Sequence, residues 1–184
     1  SLQNRKAPHW VRGSKRNNRP EISPGGFFLR PPCPASSMMP MEHVTPAREA
    51  TAELEAKGSR FIAVLVPVAR FEDRLADIRR DHRKASHHVT ATRRMAETDA
   101  PLDHASDDGE PAGTSGMPVL KTLMGTGIVD AGVIVTRYFG GTKLGTGGLA
   151  RAYSGAAALA IEGATLVPWH RIVTRVVKAG FAGA

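Results

Sequence analysis

Nothing in the 184-residue chain restricts its fold as tightly as the stretch Val129–Ile161, VDAGVIVTRYFGGTKLGTGGLARAYSGAAALAI. Val133, Ile134 and Val135 form a short apolar, β-branched run that suits a buried strand. Gly140, Gly141, Gly145, Gly147 and Gly148 follow within nine residues. Backbone there can take positive φ and approach a neighbour closely. From Leu149 onward, Leu149, Ala152, Tyr153, Ala156, Leu159 and Ala160 fall at helical spacing and define one apolar face. The stretch therefore reads as strand, basic glycine loop and helix, with Arg137, Lys143 and Arg151 around the loop. Such a loop serves either to meet a ligand or to let elements pack tightly, and both readings stand at this level.

The rest of the chain supplies a sheet for this unit to join. Residues Ala47 to Val68 predict a β-hairpin turning at Lys57-Gly58. In its second strand Phe61, Ala63 and Leu65 face one side while Ile62, Val64 and Val66 face the other, which predicts a central strand. Phe71, Leu75, Ile78 and His82 are spaced for a helix from Arg70 to Arg83. Ala85–Met95 predicts a further strand. The polar segment Ala96–Gly116 shows no period, and Met117–Met124 predicts a short helix bracketed by Pro118 and Gly125.

Charge is informative only once it is located. Of the 25 Lys/Arg, seven lie in residues 1–40, where Glu21 is the single acid. The remainder holds 18 basic and 16 acidic side chains and is only mildly basic, so the overall charge of +8 carries little functional weight. Residues 1–40 lack apolar periodicity and predict a disordered basic tail or a non-native extension, with a native start near Met41. The lone cysteine, Cys33, excludes an internal disulfide and suits a reducing, cytoplasmic setting. No run reaches the roughly 18 apolar residues of a membrane span.

Standard phosphate motifs do not fit the loop. Lys143 sits between Thr142 and Leu144, so the Gly-Lys-Ser/Thr of a Walker A loop is missing. Gly145–Ala150 matches the dinucleotide fingerprint in form. The strand ends too early, however, and the acidic residue at suitable distance, Glu162, ends the same helix. A weaker inference survives: backbone N–H groups at a helix N-terminus beside basic side chains form an anion site. The acidic turn Ser106-Asp107-Asp108-Gly109-Glu110-Pro111 is the natural counterpart, its three carboxylates matching Arg137, Lys143 and Arg151. Its acids do not follow the spacing of a calcium loop, and no metal or cofactor is expected. His87 and His88 lie on one strand and point to opposite faces, so at most one joins a given pocket. Ser106, His87 and Asp107 or Asp108 contain the ingredients of a triad but lack a nucleophile elbow.

The motifs GSRFIA (Gly58–Ala63), ASHH (Ala85–His88), SDDGEPAGTSGMP (Ser106–Pro118) and VTRYFGGTKLGTGGLARAYS (Val135–Ser154) resemble those of the Impact/YigZ family. A departure is His88-Val89, where that family usually has Asn then Cys. The resemblance implies an α/β, two-layer domain similar to ribosomal protein S5 domain 2, a mixed four-stranded sheet with helices on one face. Residues 41–163 would form it. It also implies a ferredoxin-like C-terminal domain, of which residues 164–184 would be a linker and a truncated first strand, Ile172–Val177. Eukaryotic relatives regulate translation by competing for a scaffold protein that activates a kinase.

Two functional expectations result. The first is a non-enzymatic cytoplasmic module linked to translation, binding RNA, the ribosome or a translation-associated protein. Its surface would be built from His87, Ser106, Asp107, Asp108, Glu110, Arg137, Tyr138, Lys143 and Arg151. The second is an enzyme acting on a phosphorylated small molecule through the same loop, with His87, Asp107, Asp108 or Glu110 as acid/base candidates. A pocket holding a carboxylate–histidine pair within hydrogen-bond distance would favour the second; a flat surface would favour the first.

Overall fold

A computed structural model describes residues 43–173. The expectations for residues 1–40 and for Thr174–Val177 fall outside them. Within them, β2 (Ala50–Ala56) and β3 (Ser59–Pro67) form the hairpin expected from the sequence. Its two-residue turn places Lys57 at φ 47° and Gly58 at φ 78°, the pair of left-handed residues that matches the twist of the strands. Helix α1 (Phe71–Asp81) follows, then β4 (His87–Met95), β5 (Pro101–Ser106), α2 (Gly116–Gly125), β6 (Ala131–Tyr138) and α3 (Thr146–Glu162). Two short strands, β1 (Val44–Pro46) and β7 (Leu166–Pro168), pair with each other.

The main sheet has the order β2-β3-β6-β4-β5, and every neighbouring pair is antiparallel. The overall α/β class is as expected, but the sheet has five strands rather than four and is not mixed. The fifth, β5, hides in the polar segment because it is an edge strand paired only with β4. Its exposed Leu102, Asp103 and His104 carry no apolar alternation to betray it. β6 slots between β3 and β4, which explains why its run of apolar residues is buried on both faces.

Helices cover both faces, whereas the resemblance implies one covered face. On one side α3 lies over β2 and β3 while α2 lies over β4 and β5. This core includes Phe61, Leu65, Val89, Val133, Val135, Leu123 and Tyr153. On the other side Phe71 and Ile78 of α1 pack on Val64, Val66 and Ile134. The double-sided apolar pattern of β3 already requires this second layer. Gly132 makes room for it: a Cβ there would lie 2.2 Å from the Phe71 ring.

Residues after Gly163, expected as linker, instead fold back. Leu166 and Val44 pack against the larger core, and the Trp169 indole N–H donates to Asp130 (2.5 Å). Asp130 also accepts the Met95 N–H (2.8 Å), so one carboxylate ties β4 to the returning chain. No helix among the described residues is long and apolar enough to cross a membrane.

Gly132→Ala is expected to lower stability by about 1–3 kcal/mol through overpacking. In urea unfolding, the double variant Gly132→Ala/Phe71→Leu should lose less than the two single losses together, because both act on one contact. Strict additivity would refute this packing account.

Candidate functional site

A row of side chains crosses three strands on the face under α3. Phe61 of β3, Arg137 of β6 and His87 of β4 are direct cross-strand partners. Strand alternation sends their neighbours to the opposite face. There Tyr138 donates to or accepts from His82 Nδ1 (2.8 Å), and His88 Nδ1 meets the Thr136 hydroxyl (3.2 Å). Burial holds the His88 pKa below its ordinary value; Arg79, His82 and His87 add to this, and Asp108 opposes it.

Arg137 is 6% exposed, and a charge so buried needs a close partner. Its Nη1 donates to Glu110 Oε1 at 2.5 Å, and the Tyr153 hydroxyl of α3 donates to the same oxygen at 2.8 Å. The guanidinium also lies over the Phe61 and Phe139 rings, 5.6 and 5.5 Å from their centroids. Burial, then the bond to Glu110, pushes the Tyr153 phenol far above its usual range, so it stays a donor. The Arg137 Nε is buried and has no hydrogen-bond partner among the described residues.

The acidic turn sends its three carboxylates to three different places. Asp107 faces the start of α2, where it accepts from the Ser115 hydroxyl (2.5 Å) and from the N–H groups of Ser115, Gly116 and Gly113. Burial raises its pKa, but these hydrogen bonds outweigh burial and hold it below the ordinary carboxylate value. Asp108 accepts the His88 N–H (2.6 Å) and lies 3.5 Å from Arg79 of α1. Glu110 alone meets the basic residues of the loop. The expected match of three acids to three bases therefore reduces to Glu110 with Arg137. Lys143 and Arg151 form no ion pair among the described residues.

The turn also orients His87. The Asp108 carbonyl lies 2.8 Å from His87 Nδ1. A carbonyl only accepts, so Nδ1 carries the proton and Nε2 of the neutral ring is left as an acceptor. That Nε2 lies 3.8 Å from Glu110 Oε1, beyond hydrogen-bond distance.

These elements border an open pocket of about 490 Å³ lined by Ser86, His87, Glu110, Pro111, Arg137, Phe139, Lys143, Leu144, Gly145, Thr146 and Leu149. The volume is that of a small-ligand site. Gly145 holds the N-cap position of α3 at φ 72°, and no side chain caps the helix. Gly140 serves packing instead. A Cβ there would lie 2.0 Å from the Gly58 backbone, so its absence lets the loop seat on the hairpin turn. The glycine loop thus packs tightly at its first residue and opens onto a cavity at Gly145.

Of the residues singled out from the sequence, His87, Glu110, Arg137 and Lys143 come together in this cavity. Asp107 and Asp108 shape its acidic wall from outside. Ser106 contributes backbone, against which Gly116 packs. Tyr138 is on the opposite face, and Arg151 lies on two shallower surfaces of α3. Tyr153 reads only as core in the sequence, since its apolar spacing gives no sign that its hydroxyl caps a buried carboxylate. Leu144 carries no periodic signal at all, whereas Phe139 is legible beside Tyr138 as an aromatic next to basic residues.

Residues 57–161 match the profile of the Impact N-terminal domain. The chain is 44% identical over 113 residues to the IMPACT family member YigZ of Escherichia coli, covering 60% of this chain and 55% of that protein. It is 42% identical over 121 residues to an IMPACT family member of Thermus thermophilus, covering 64% and 65% of the two chains. A crystal structure described as a hypothetical protein superposes with TM-score 0.64 at 40% identity over 69% of this chain and 64% of that one. The chain thus spans only part of the length of the relatives it matches.

Glu110→Ala leaves the Arg137 charge buried without its partner and should cost about 3–5 kcal/mol in chemical unfolding. A loss under about 1 kcal/mol would contradict the buried pair. Asp107→Ala should cost about 1–2 kcal/mol, as the loss of a helix-capping carboxylate does. Because the folded-state pKa of Asp107 is lowered, its contribution is complete above the unfolded carboxylate pKa. It disappears as pH falls through the folded value. The stability gap between parent and Asp107→Ala should therefore narrow in acid, and a gap that widens would contradict the assignment.

Proposed function

The chain belongs to the Impact family, and from that membership we propose that it is a non-enzymatic module of translation that binds RNA, free or within the ribosome, in the cytoplasm. The surface is concave rather than the flat one expected for a binding module, and what supports this reading is the make-up of that pocket between the acidic turn and the glycine loop. An exposed lysine, an uncapped helix N-terminus and a half-exposed aromatic, Phe139, converge on it. Cation and helix end suit phosphate, and the aromatic suits a base. The link to translation rests on the family resemblance. A translation-associated protein is the competing partner class, and the small, concave shape of the site argues against it. Protein–protein contacts usually bury a broad patch with a central anchor.

A second reading has one observation in its favour. His87 lines the pocket, its Nε2 is the acceptor of the neutral ring, and a carboxylate lies 3.8 Å away, as for a general base acting on a phosphorylated small molecule. The separation exceeds hydrogen-bond distance, so the pair is not assembled as a catalytic dyad. Binding without turnover is the better-supported reading.

RNA affinity measured against salt concentration tests the proposal. Lys143→Ala should weaken binding by about tenfold and lower the salt slope by about one, as loss of one phosphate contact does. Arg151→Ala, outside the cavity, should bind within about twofold of the parent. If Lys143→Ala binds RNA as well as the parent, the cavity is not the RNA surface.

A further inference from the structure

We propose that His87 and Glu110 form a proton-gated latch on the pocket wall, open while the imidazole is neutral and closed once its Nε2 carries a proton. The latch is a property of the chain alone. Its consequence for binding rests on the reading above, in which the pocket is where RNA is met.

The open state follows from hydrogen-bond roles. His87 Nδ1 donates to the Asp108 carbonyl at 2.8 Å. A Cβ on Gly109 would lie 3.6 Å from the same nitrogen, so the acidic turn packs directly on the ring. Nε2 of the neutral ring therefore presents a lone pair, and the atom 3.8 Å away, Glu110 Oε1, is also an acceptor. Two acceptors do not bond, and the neutral pair stays apart.

A proton taken from water reverses this. The imidazolium donates from both nitrogens, so Nδ1 keeps the Asp108 carbonyl while Nε2 gains a donor for Glu110. The Glu110 side chain is 3% exposed, and a charge so buried is little screened by solvent or salt. Reaching hydrogen-bond distance requires a movement of roughly 1 Å. Arg137 and Tyr153 already donate to Oε1, but a carboxylate offers about four lone-pair sites, so the third donor need displace neither.

Charged groups reach His87 from each element packed around it. Glu110 of the acidic turn favours the proton. Arg137, its cross-strand partner on β6, and Lys143 of the glycine loop oppose it, and the Arg137 charge is balanced by Glu110. His88, His82, Arg79 and the Asp108 carboxylate lie towards the opposite face. Burial first, and then the charges of Arg79, His82 and His87 against that of Asp108, keep His88 neutral to lower pH. The two adjacent histidines therefore do not charge together, and His87 is the one that responds. Closing the latch removes an acceptor from the pocket wall and adds one positive charge to it, so the pocket favours an anionic ligand more strongly in acid.

The test reads the full, isotope-labelled chain by histidine side-chain NMR, first without ligand. At about pH 8 the His87 proton should sit on Nδ1, and at about pH 5 a second proton should appear on Nε2, protected from exchange with water. A short oligoribonucleotide is then titrated at both pH values and fixed salt into the parent and into His87→Gln. The parent should gain at least about threefold more affinity on acidification than His87→Gln does, the scale of one added exposed charge. A proton on Nε2 at pH about 8, or an Nε2 proton at pH about 5 that exchanges freely, would overturn the latch whatever the RNA does. A protected Nε2 proton with no RNA binding at either pH would support the latch and sink the RNA reading alone. RNA binding whose pH dependence is the same in parent and His87→Gln would overturn the consequence drawn for binding.

Discussion

The buried Arg137–Glu110 pair holds the site together. Moving two charges out of water costs several kcal/mol each unless their hydrogen bonds are replaced. Here one carboxylate oxygen receives both the Arg137 guanidinium and the Tyr153 hydroxyl. Those three residues come from the central strand, the acidic turn and the longest helix, so a single oxygen sets the spacing among them. Tyr153 in turn packs edge-on against Phe61, with centroids 5.0 Å apart, which anchors the polar cluster to the core. Both walls of the cavity are fixed through this one contact.

Strand alternation then distributes the chemistry between two faces. His87 and Arg137 share the cavity side, while His88 and Tyr138 go to the side covered by α1. The acidic turn reaches both. Through its carbonyl Asp108 sets the proton position on His87, and through its carboxylate it holds the His88 N–H and approaches Arg79. Asp108 adopts φ 47° and Gly109 φ 86°, the left-handed pair that lets the chain reverse tightly enough to do this. Asp107 ties the same turn to the start of α2, so the acidic wall of the cavity is braced from three directions.

Much of this is legible in the residues. Period-two alternation in β3 announces a strand covered on both sides, and Lys57 followed by Gly58 announces its turn. The strand–loop–helix unit at Val129–Ile161 reads correctly because each part has its own local signature. What stays hidden is either edge or long-range. β5 has too little apolar surface to stand out, and the fold-back of Leu166–Pro168 depends on Asp130 and Val44, which are far away in sequence. Pairing of the acidic turn with the basic loop is visible as charge, but partner choice is not. Only Glu110 pairs with one of the three bases, Arg137 at the end of β6; Asp107 is drawn to backbone N–H groups that composition does not display.

The glycine loop thus combines the two uses that its sequence leaves open, close packing at Gly140 and an uncapped helix end at Gly145. Amide chemical-shift mapping of the isotope-labelled chain during titration with a short oligoribonucleotide tests this most directly. The account predicts that Thr146, Gly147 and Gly148 shift first and most, with Lys143, Phe139 and His87 following, while the α1 face and Arg151 stay still. Shifts confined to α1 or to the β5 edge, or none at saturating ligand, would contradict it.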